Sequence, residues 1–253
     1  ATFNSWAMSI IRKVVRGRPF FKFHNVPTFV EEIKFSEEIL NALGGWVEKQ
    51  KHALDIEVVE IFKKWPGQIK SWKKAENKAI LPRLKDFAHD IKESNLPKFD
   101  KDKCLEFLKR KIFDLEDYVQ DIYKLLADIV HLKNYLSPDT KLDSHLDYLK
   151  RLTEKNQAKN NLDYFDMSLI LRLIQLKNGG LPDGSGGVVL LDHLVIDEAQ
   201  DFGPVEFAIM MSSVSDKRQV TIVGDVAQKI LSARKFIGWN KVVSNLGMEE
   251  DSI

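Results

Sequence analysis

The sequence has little that would cross-link the chain or anchor it in a membrane. Its 253 residues include one cysteine, Cys104, which excludes an internal disulfide and a metal site built from several cysteines. A lone thiol is typical of a reducing compartment, and we predict a cytoplasmic protein. No apolar run reaches about 18 residues, the length that predicts a membrane span. The first residues do not resemble a signal peptide, and we expect the chain to be a fragment of a larger protein.

Two kinds of ligand site are also missing. The six histidines are scattered, and none is spaced from another His or Cys as metal ligands are. The sequence contains no Gly-Lys-Ser/Thr, the tripeptide of phosphate-binding loops. The glycine-rich segment 177–187 is therefore predicted to be a linker or a surface loop. The apolar content of 44% and the charged content of 30% are ordinary for a soluble globular protein, and the net charge of +1 points to no class of partner.

The first 24 residues predict a basic helix near the start of the chain. Asn4 or Ser5 is expected to cap it, because both side chains can accept a backbone hydrogen bond. The helix start could contact a phosphate backbone, or the helix could present a solvated basic face to water. The spacing of the residues favours the solvated face.

Residues 25–160 are predicted to be almost entirely helical. Gly44-Gly45 is expected to end one helix, and Pro66-Gly67 to break the next. Apolar residues at intervals of three and four predict one long helix over 102–136, which Ser137-Pro138 would stop. The apolar stripe of this helix is more typical of the core of a helical subdomain than of a groove for a partner.

The segment 63–74 combines five lysines with two tryptophans and has no acid. Lysines with interleaved aromatic residues suit single-stranded nucleic acid, since phosphates pair with the lysines and bases stack on the rings. This makes Lys63, Lys70, Trp72 and Lys73 candidate nucleic-acid contacts. The alternative is a corner between helices, with the tryptophans in the core and the lysine stems along the surface. The composition favours the corner.

Two apolar runs near the C-terminal end lead into acids and glutamines. Residues 188–191 and 194–196 are predicted to form a strand buried on both faces, and residues 219–223 a second strand. A helix capped by Asp201, with Pro204 in its first turn, should connect them, so the two strands should be parallel. Ligands of open α/β sheets bind at the carboxyl ends of such strands.

The side chains at these strand ends suit nucleotide hydrolysis. Asp197 can bind Mg²⁺, directly or through water, and Glu198 can take a proton from an attacking water. Gln200 and Gln228 can orient that water or sense a terminal phosphate, and Asp225 can support the site. The alternative is that these acids only cap helices. Their position at the ends of two parallel strands favours the functional interpretation.

Three stretches resemble motifs of the UvrD/Rep-type superfamily 1 helicases. Residues 194–201 are similar to the Walker B element, motif II, and residues 223–228 to motif III. Residues 2–6 resemble motif Ib. The resemblance implies an α/β fold, with a partial RecA-like parallel sheet of the P-loop NTPase type and a large all-helical insertion. It divides the chain into a RecA-like piece (1–24), the insertion (25–160) and a second RecA-like piece (161–253).

The resemblance also implies roles for the matching residues. Asp197 would bind the Mg²⁺ of ATP and Glu198 would be the catalytic base. Gln200 and Gln228 would couple the γ-phosphate to nucleic acid, and Asp225 would support them. Thr2 and Asn4 would contact the nucleic-acid backbone. Single-stranded or duplex DNA is the implied partner.

The sequence departs from the family pattern in two ways. The Walker A lysine is missing, as are the later arginine-bearing motifs, so the chain is predicted to be inactive without the remainder of the same polypeptide. Segment 229–234 has leucine and alanine where Rep-like members carry aromatics that stack on bases. It is more similar to the helicase IV/HelD-like branch, some of whose members act on RNA polymerase. A polymerase-binding ATPase, or a scaffold without catalysis, is therefore an alternative to a DNA helicase.

Overall fold

A computed structural model of the chain describes residues 2–17, 20–22 and 26–225. The predicted site residue Gln228 and the segment 229–234 lie outside these residues. The strands are β1 (Phe20–Lys22), β2 (Asn161–Asp163), β3 (Leu194–Ile196) and β4 (Val220–Ile222). The helices are α1 (Phe3–Val14), α2 (Thr28–Phe35), α3 (Glu37–Ile61), α4 (Pro66–Lys74), α5 (Ile80–Glu93), α6 (Lys98–Leu115), α7 (Tyr118–Ala127), α8 (Ile129–Lys133), α9 (Leu142–Ala158), α10 (Asp166–Asn178) and α11 (Pro204–Met211). In this described part of the chain, no helix has the length and apolarity to cross a membrane.

One continuous hydrophobic core joins helices from all three predicted ranges. It includes Ile11 of α1, Leu43 of α3, Leu84 of α5 and Ile170 of α10. Helix α10 is buried along most of its length and contacts α1, α3, α5, α7 and α11. A helix enclosed by other helices has apolar residues on all sides, and α10 has this composition. The division of the chain into three ranges stays a prediction.

The predicted helix end at Gly44-Gly45 is wrong. Helix α3 continues through both glycines. A Cβ atom added at Gly45 would overlap the hydroxyl and the ring of Tyr135, so the missing side chain lets this ring lie against the helix backbone. Glycine inside a helix costs about 1 kcal/mol relative to alanine. Its position here follows from the close approach of Tyr135, which local sequence does not reveal.

The predicted long helix over 102–136 is also wrong, because two aspartates divide this region. Asp117 Oδ1 accepts the N–H of Gln120 at 3.1 Å, and Asp128 Oδ1 accepts the N–H of His131 at 3.0 Å. Each aspartate caps a new helix, so α6, α7 and α8 follow one another. The apolar spacing continues across both breaks, which is why the periodicity alone predicted one helix.

Pro66-Gly67 lies at the start of α4, shortly after the end of α3. Helix α3 ends at Ile61, and Pro66 is the first residue of α4. Proline is well suited to this position, because the first helical N–H has no partner within the helix. The helix was predicted to run to Trp65, but it ends before the proline, and Pro66 sets the start of the next helix.

The described strands form two separate parallel pairs. β1 pairs with β2, with Phe21 opposite Leu162, and β3 pairs with β4, with Val195 opposite Thr221. Helix α11 lies between β3 and β4 in the sequence, which confirms the predicted parallel crossover. This part of the chain is mostly helical with small parallel sheets, as the predicted α/β class allows.

Two predictions about the strands need correction. Residues 188–191 make isolated bridges rather than a strand. β3 is not buried on both faces, since Val195 is 63% exposed whereas Ile196 is 2% exposed. Ile196 packs with Phe207 and Met210 of α11 in a small second core. The described packing therefore covers one face of β3 and leaves the other open.

The start of α10 is fixed by a buried carboxylate. Asp166 is the first residue of this helix, and Phe165 precedes it as the N-cap. Asp166 Oδ2 accepts the N–H of Asp163 at 2.9 Å, and its Oδ1 accepts a hydrogen bond from Lys34 Nζ at 2.6 Å. Desolvation raises the pKa of the Asp166 carboxyl, and the Lys34 ammonium acts in the opposite direction. This buried cluster joins α2, β2 and α10.

The glycine-rich segment 177–187 is part helix and part surface turn. Lys177 belongs to the last turn of α10, and Gly179 ends the helix with a φ of 75°. Beyond it, Asp183 Oδ1 accepts the N–H groups of Ser185 at 2.7 Å and Gly187 at 3.1 Å. An aspartate that accepts from the residues after it organises a tight turn. The predicted surface loop is therefore confirmed for the part that follows α10.

Candidate functional site

The ends of β3 and β4 lie side by side. Val223 donates its N–H to the carbonyl of Ile196 at 2.8 Å, and Ala199 donates its N–H to the carbonyl of Val223 at 3.0 Å. The pairing therefore continues beyond both strands. It brings Asp197-Glu198 and Gly224-Asp225 to the same edge of the sheet, which the predicted parallel arrangement requires.

Asp197 and Glu198 are both exposed at this edge. Asp197 Oδ1 accepts the N–H of Glu198 at 2.9 Å. Glu198 has a left-handed backbone, with φ 54° and ψ 44°. This conformation costs about 1 kcal/mol or more for a residue with a Cβ. It ends the extended conformation of the strand and turns the chain into the short 3₁₀ helix Ala199–Asp201.

Gln200 lies behind these carboxylates and connects the two strand ends. Gln200 is buried, with an exposed fraction of 2%. Gln200 Nε2 donates to Glu198 Oε2 at 2.6 Å, and Gln200 Oε1 accepts the N–H of Asp225 at 2.9 Å. Both polar atoms of this amide are therefore used within the protein. Its predicted contact with water or a terminal phosphate stays a prediction.

Gly224 has no side chain, and the amide of Gln200 occupies the space where a side chain would begin. A Cβ atom at this position would lie 2.6 Å from Gln200 Oε1 and 3.0 Å from the Ala199 nitrogen. Any side chain would therefore push the amide away from Asp225. The residues after β4 resemble a motif in the sequence, but the sequence does not reveal this close packing.

The predicted helix cap at Asp201 is wrong. Asp201 lies in a short 3₁₀ helix, Ala199–Asp201, and Gly203 is the N-cap of α11. Glu206 Oε2 accepts the N–H of Gly203 at 3.0 Å. Pro204 is the first residue of α11, as predicted. The acid that caps α11 is therefore Glu206, which belongs to the first turn of the helix, two residues after Pro204.

The start of α1 packs against the loop that follows β3. The rings of Phe3 and Phe202 meet edge to face with their centroids 5.9 Å apart. Thr2 caps α1, because its Oγ1 accepts the N–H of Ser5 at 3.3 Å, so the predicted caps Asn4 and Ser5 are wrong. The contact places the start of α1, which includes the predicted nucleic-acid residues Thr2 and Asn4, beside the segment that follows β3. No local signal in the sequence pairs Phe3 with Phe202.

Trp72 is not on the surface of the helical region. It is 1% exposed, its Nε1 donates to Asp55 Oδ1 at 2.7 Å, and the Arg83 guanidinium lies 3.7 Å from its ring centroid. Arg83 also contacts Asp55 at 2.9 Å. The ring cannot stack on a base in this arrangement. It holds α3, α4 and α5 together, as the alternative of a helix corner predicted.

The three candidate lysines of this region are exposed. Lys63 forms an ion pair with Glu60 one turn earlier. Lys70 and Lys73 lie on α4, with Lys74 next to them. Segment 63–74 therefore offers exposed positive charge, but Trp72 is not accessible for stacking on a base. This suits contact with a phosphate backbone better than contact with unstacked bases.

Metal ligands do not gather into a ready-made cage. No group of three or more His, Cys, Asp or Glu side chains converges among the residues that the structure describes. His131 is buried, and its Nε2 lies 2.8 Å from the carbonyl oxygen of Ala42. Asp197 is the carboxylate at the sheet edge that follows β3 directly and can offer an oxygen ligand.

Comparison with known proteins covers nearly the whole chain. The model of the UvrD/REP helicase N-terminal domain matches residues 2–235. The chain belongs to the UvrD/REP helicase family. The match includes the sheet edge at Asp197 and Glu198, the helical range 25–160 and Gln228. It confirms the predicted resemblance to this family.

A curated relative of the UvrD/REP chain agrees with this family. The chain is 25% identical over 162 residues to a probable DNA helicase II homolog from Mycoplasma capricolum subsp. capricolum. The alignment covers 61% of this chain and 21% of the relative, so the chain spans about a fifth of the relative's length. No solved structure matches the chain significantly.

Proposed function

We propose that this chain is the central part of an ATP-dependent DNA helicase or translocase, in which a RecA-like sheet carries the carboxylates for ATP hydrolysis. The observation that carries the proposal is the shared edge of β3 and β4, where Asp197, Glu198 and Asp225 meet. Membership of the UvrD/REP family supports it, because helicases of this type use ATP and Mg²⁺.

The donor set at this edge fits Mg²⁺ bound together with a nucleotide. Asp197 offers an exposed carboxylate. Mg²⁺ prefers hard oxygen ligands, keeps several waters, and is commonly held by one or two carboxylates together with substrate phosphates. When bound, the ion supplies positive charge that neutralises the phosphate oxygens. Asp197 is therefore the residue proposed to hold it.

The neighbouring residues divide the remaining tasks. Glu198 is exposed beside Asp197, so its carboxylate can take a proton from a water that attacks a phosphate. Gln228, outside the described residues, is proposed to orient that water and to sense the terminal phosphate. Asp225 supports the edge through its backbone N–H, which donates a hydrogen bond to Gln200 Oε1.

ATP turnover by the full-length polypeptide tests this function. We expect hydrolysis that requires Mg²⁺ and increases when single-stranded DNA is added. We expect no turnover from residues 1–253 alone, because the sequence has no Gly-Lys-Ser/Thr to hold the phosphates. A full-length polypeptide that does not hydrolyse ATP, with or without DNA, would contradict the proposal. Turnover by the 253-residue chain would contradict its predicted inactivity.

The exposed lysines of segment 63–74 are proposed to bind the DNA backbone. We expect that changing Lys63, Lys70 and Lys73 together to Gln weakens the binding of DNA to the chain. The slope of log affinity against log salt concentration should also decrease, by about 0.7 to 0.9 for each phosphate that the variant no longer neutralises. Fluorescence anisotropy titrations at several salt concentrations measure both quantities.

A matched triple variant controls for the loss of net charge. Lys150, Lys155 and Lys159 lie on or next to α9, and changing them to Gln removes the same charge at a different place. We expect this variant to bind DNA like the wild type. Equal weakening in both variants would show that only net charge matters. If neither variant changes DNA binding and range 25–160 captures RNA polymerase, the polymerase-binding ATPase replaces the helicase as the proposed function.

A further inference from the structure

The amide of Gln200 lies between the ends of β3 and β4, at the point where the main-chain pairing of the two strands stops. The main-chain pairing at this edge ends with the bond from Ala199 to the carbonyl of Val223. Beyond it, Glu198 and Asp225 are connected through one side chain, since Gln200 Nε2 donates to Glu198 Oε2 at 2.6 Å and Gln200 Oε1 accepts the Asp225 N–H at 2.9 Å.

Three features show that this connection is built into the fold. Gln200 is buried, although the two residues it joins are exposed. Gly224 has no side chain at the point where a Cβ would lie 2.6 Å from Gln200 Oε1. Glu198 has a left-handed backbone, which directs its side chain to where the amide of Gln200 can donate to it. Buried amides need partners for both polar ends, and Gln200 has them.

We propose that Gln200 is a positioning residue that ties the Glu198 carboxylate to the end of β4, so that a shift of the residues after β4 moves the base. The catalytic part of this proposal rests on the proposed function; the physical connection does not. The two bonds give Gln200 a role within the chain, because each polar atom of its amide already holds one partner at the strand ends.

Two substitutions separate the two halves of the connection. Gln200→Met removes the donor and the acceptor at similar volume. Gln200→Glu keeps an acceptor for the Asp225 N–H but loses the donor to Glu198. In the 253-residue chain, we expect the Asp225 amide to exchange its hydrogen about fivefold faster or more in Gln200→Met, because one hydrogen bond is lost. In Gln200→Glu the exchange should rise less than in Gln200→Met, because one oxygen can still accept the Asp225 N–H while the other is repelled by Glu198.

The Ala199 amide is an internal control in the same NMR exchange experiment. Its bond to the Val223 carbonyl does not involve a side chain, so its protection should be unchanged in both variants. Equal acceleration at Ala199 and Asp225 in Gln200→Met would overturn the proposal, because it would show general loosening of the edge. Wild-type exchange at Asp225 in Gln200→Met would also overturn it.

Kinetics of the full-length polypeptide test the catalytic part. We expect both variants to lower kcat by about 10- to 100-fold, the range typical when a group that orients a catalytic residue is removed, with KM for ATP unchanged. A raised KM with unchanged kcat would show that Gln200 contacts the nucleotide and would overturn the proposal. If the wild-type polypeptide does not hydrolyse ATP, the proposed function fails, while the exchange experiment still decides whether Gln200 connects the strand ends.

Discussion

Glu198→Gln is expected to lower ATP turnover by the full-length polypeptide by about 10²- to 10⁴-fold, the usual contribution of a general base. The physical reason is the loss of the carboxylate that takes the proton, at a position where the replacement has almost the same shape. The amide oxygen of Gln can still accept the hydrogen bond that Gln200 Nε2 donates to Glu198 Oε2. ATP binding should therefore be retained, and only kcat should fall.

Steady-state turnover with single-stranded DNA and binding of a fluorescent ATP analogue together measure this effect. Asp192→Asn is a suitable control, because Asp192 is also an exposed carboxylate but precedes β3, at the opposite end from the site. We expect it to leave turnover unchanged. Turnover by Glu198→Gln within about threefold of the wild type would contradict the role of Glu198 as base.

The second large effect concerns stability and lies far from the sheet edge. Lys177 of α10 is fully buried and forms an ion pair with Asp121 of α7. Lys177 Nζ also donates to the carbonyl of Leu115 at 2.7 Å, and Asp121 Oδ1 accepts from Gln50 Nε2 at 2.7 Å. Desolvation lowers the pKa of the Lys177 ammonium, and Asp121 acts in the opposite direction. Each charge therefore depends on the other.

Lys177→Met and Asp121→Asn are each expected to lower the free energy of unfolding by about 3–5 kcal/mol, because each leaves an uncompensated buried charge. The double variant should recover a large share of this loss, since no charge remains and the Asn amide can still accept from Gln50. Urea unfolding of the four proteins gives the coupling energy, provided that the m-value does not change.

An exposed ion pair gives the matched control for this cycle. Lys133 contacts Asp143 at 2.7 Å on the surface, where water screens the interaction. Lys133→Met should change the stability little. Losses in the Lys177 and Asp121 variants that simply add in the double variant would show that the buried pair does not act as a unit.

The sequence predicted the parts of the candidate site that depend on neighbouring residues. The apolar runs at Leu194–Ile196 and Val220–Ile222 form the predicted strands, and the helix between them makes these strands parallel. Pro204 begins that helix, as its lack of an N–H requires. Because the acids follow directly after these strands, their common edge could also be predicted. The motif order in turn predicted the family that the match over 2–235 confirms.

The tertiary structure decided what each side chain contacts. Periodicity indicates which side of a helix is apolar, but it does not identify the group that packs there. Trp72 is buried, as the favoured helix corner predicted, but its contact with Arg83 comes from the packing, and Gly45 continues a helix because Tyr135 lies on it. Gln200 was predicted to orient a water or sense a phosphate, yet its Oε1 accepts the N–H of Asp225, at a strand end that comes 25 residues later. Contacts between distant residues depend on how the whole chain packs, and one sequence does not encode them as a local pattern.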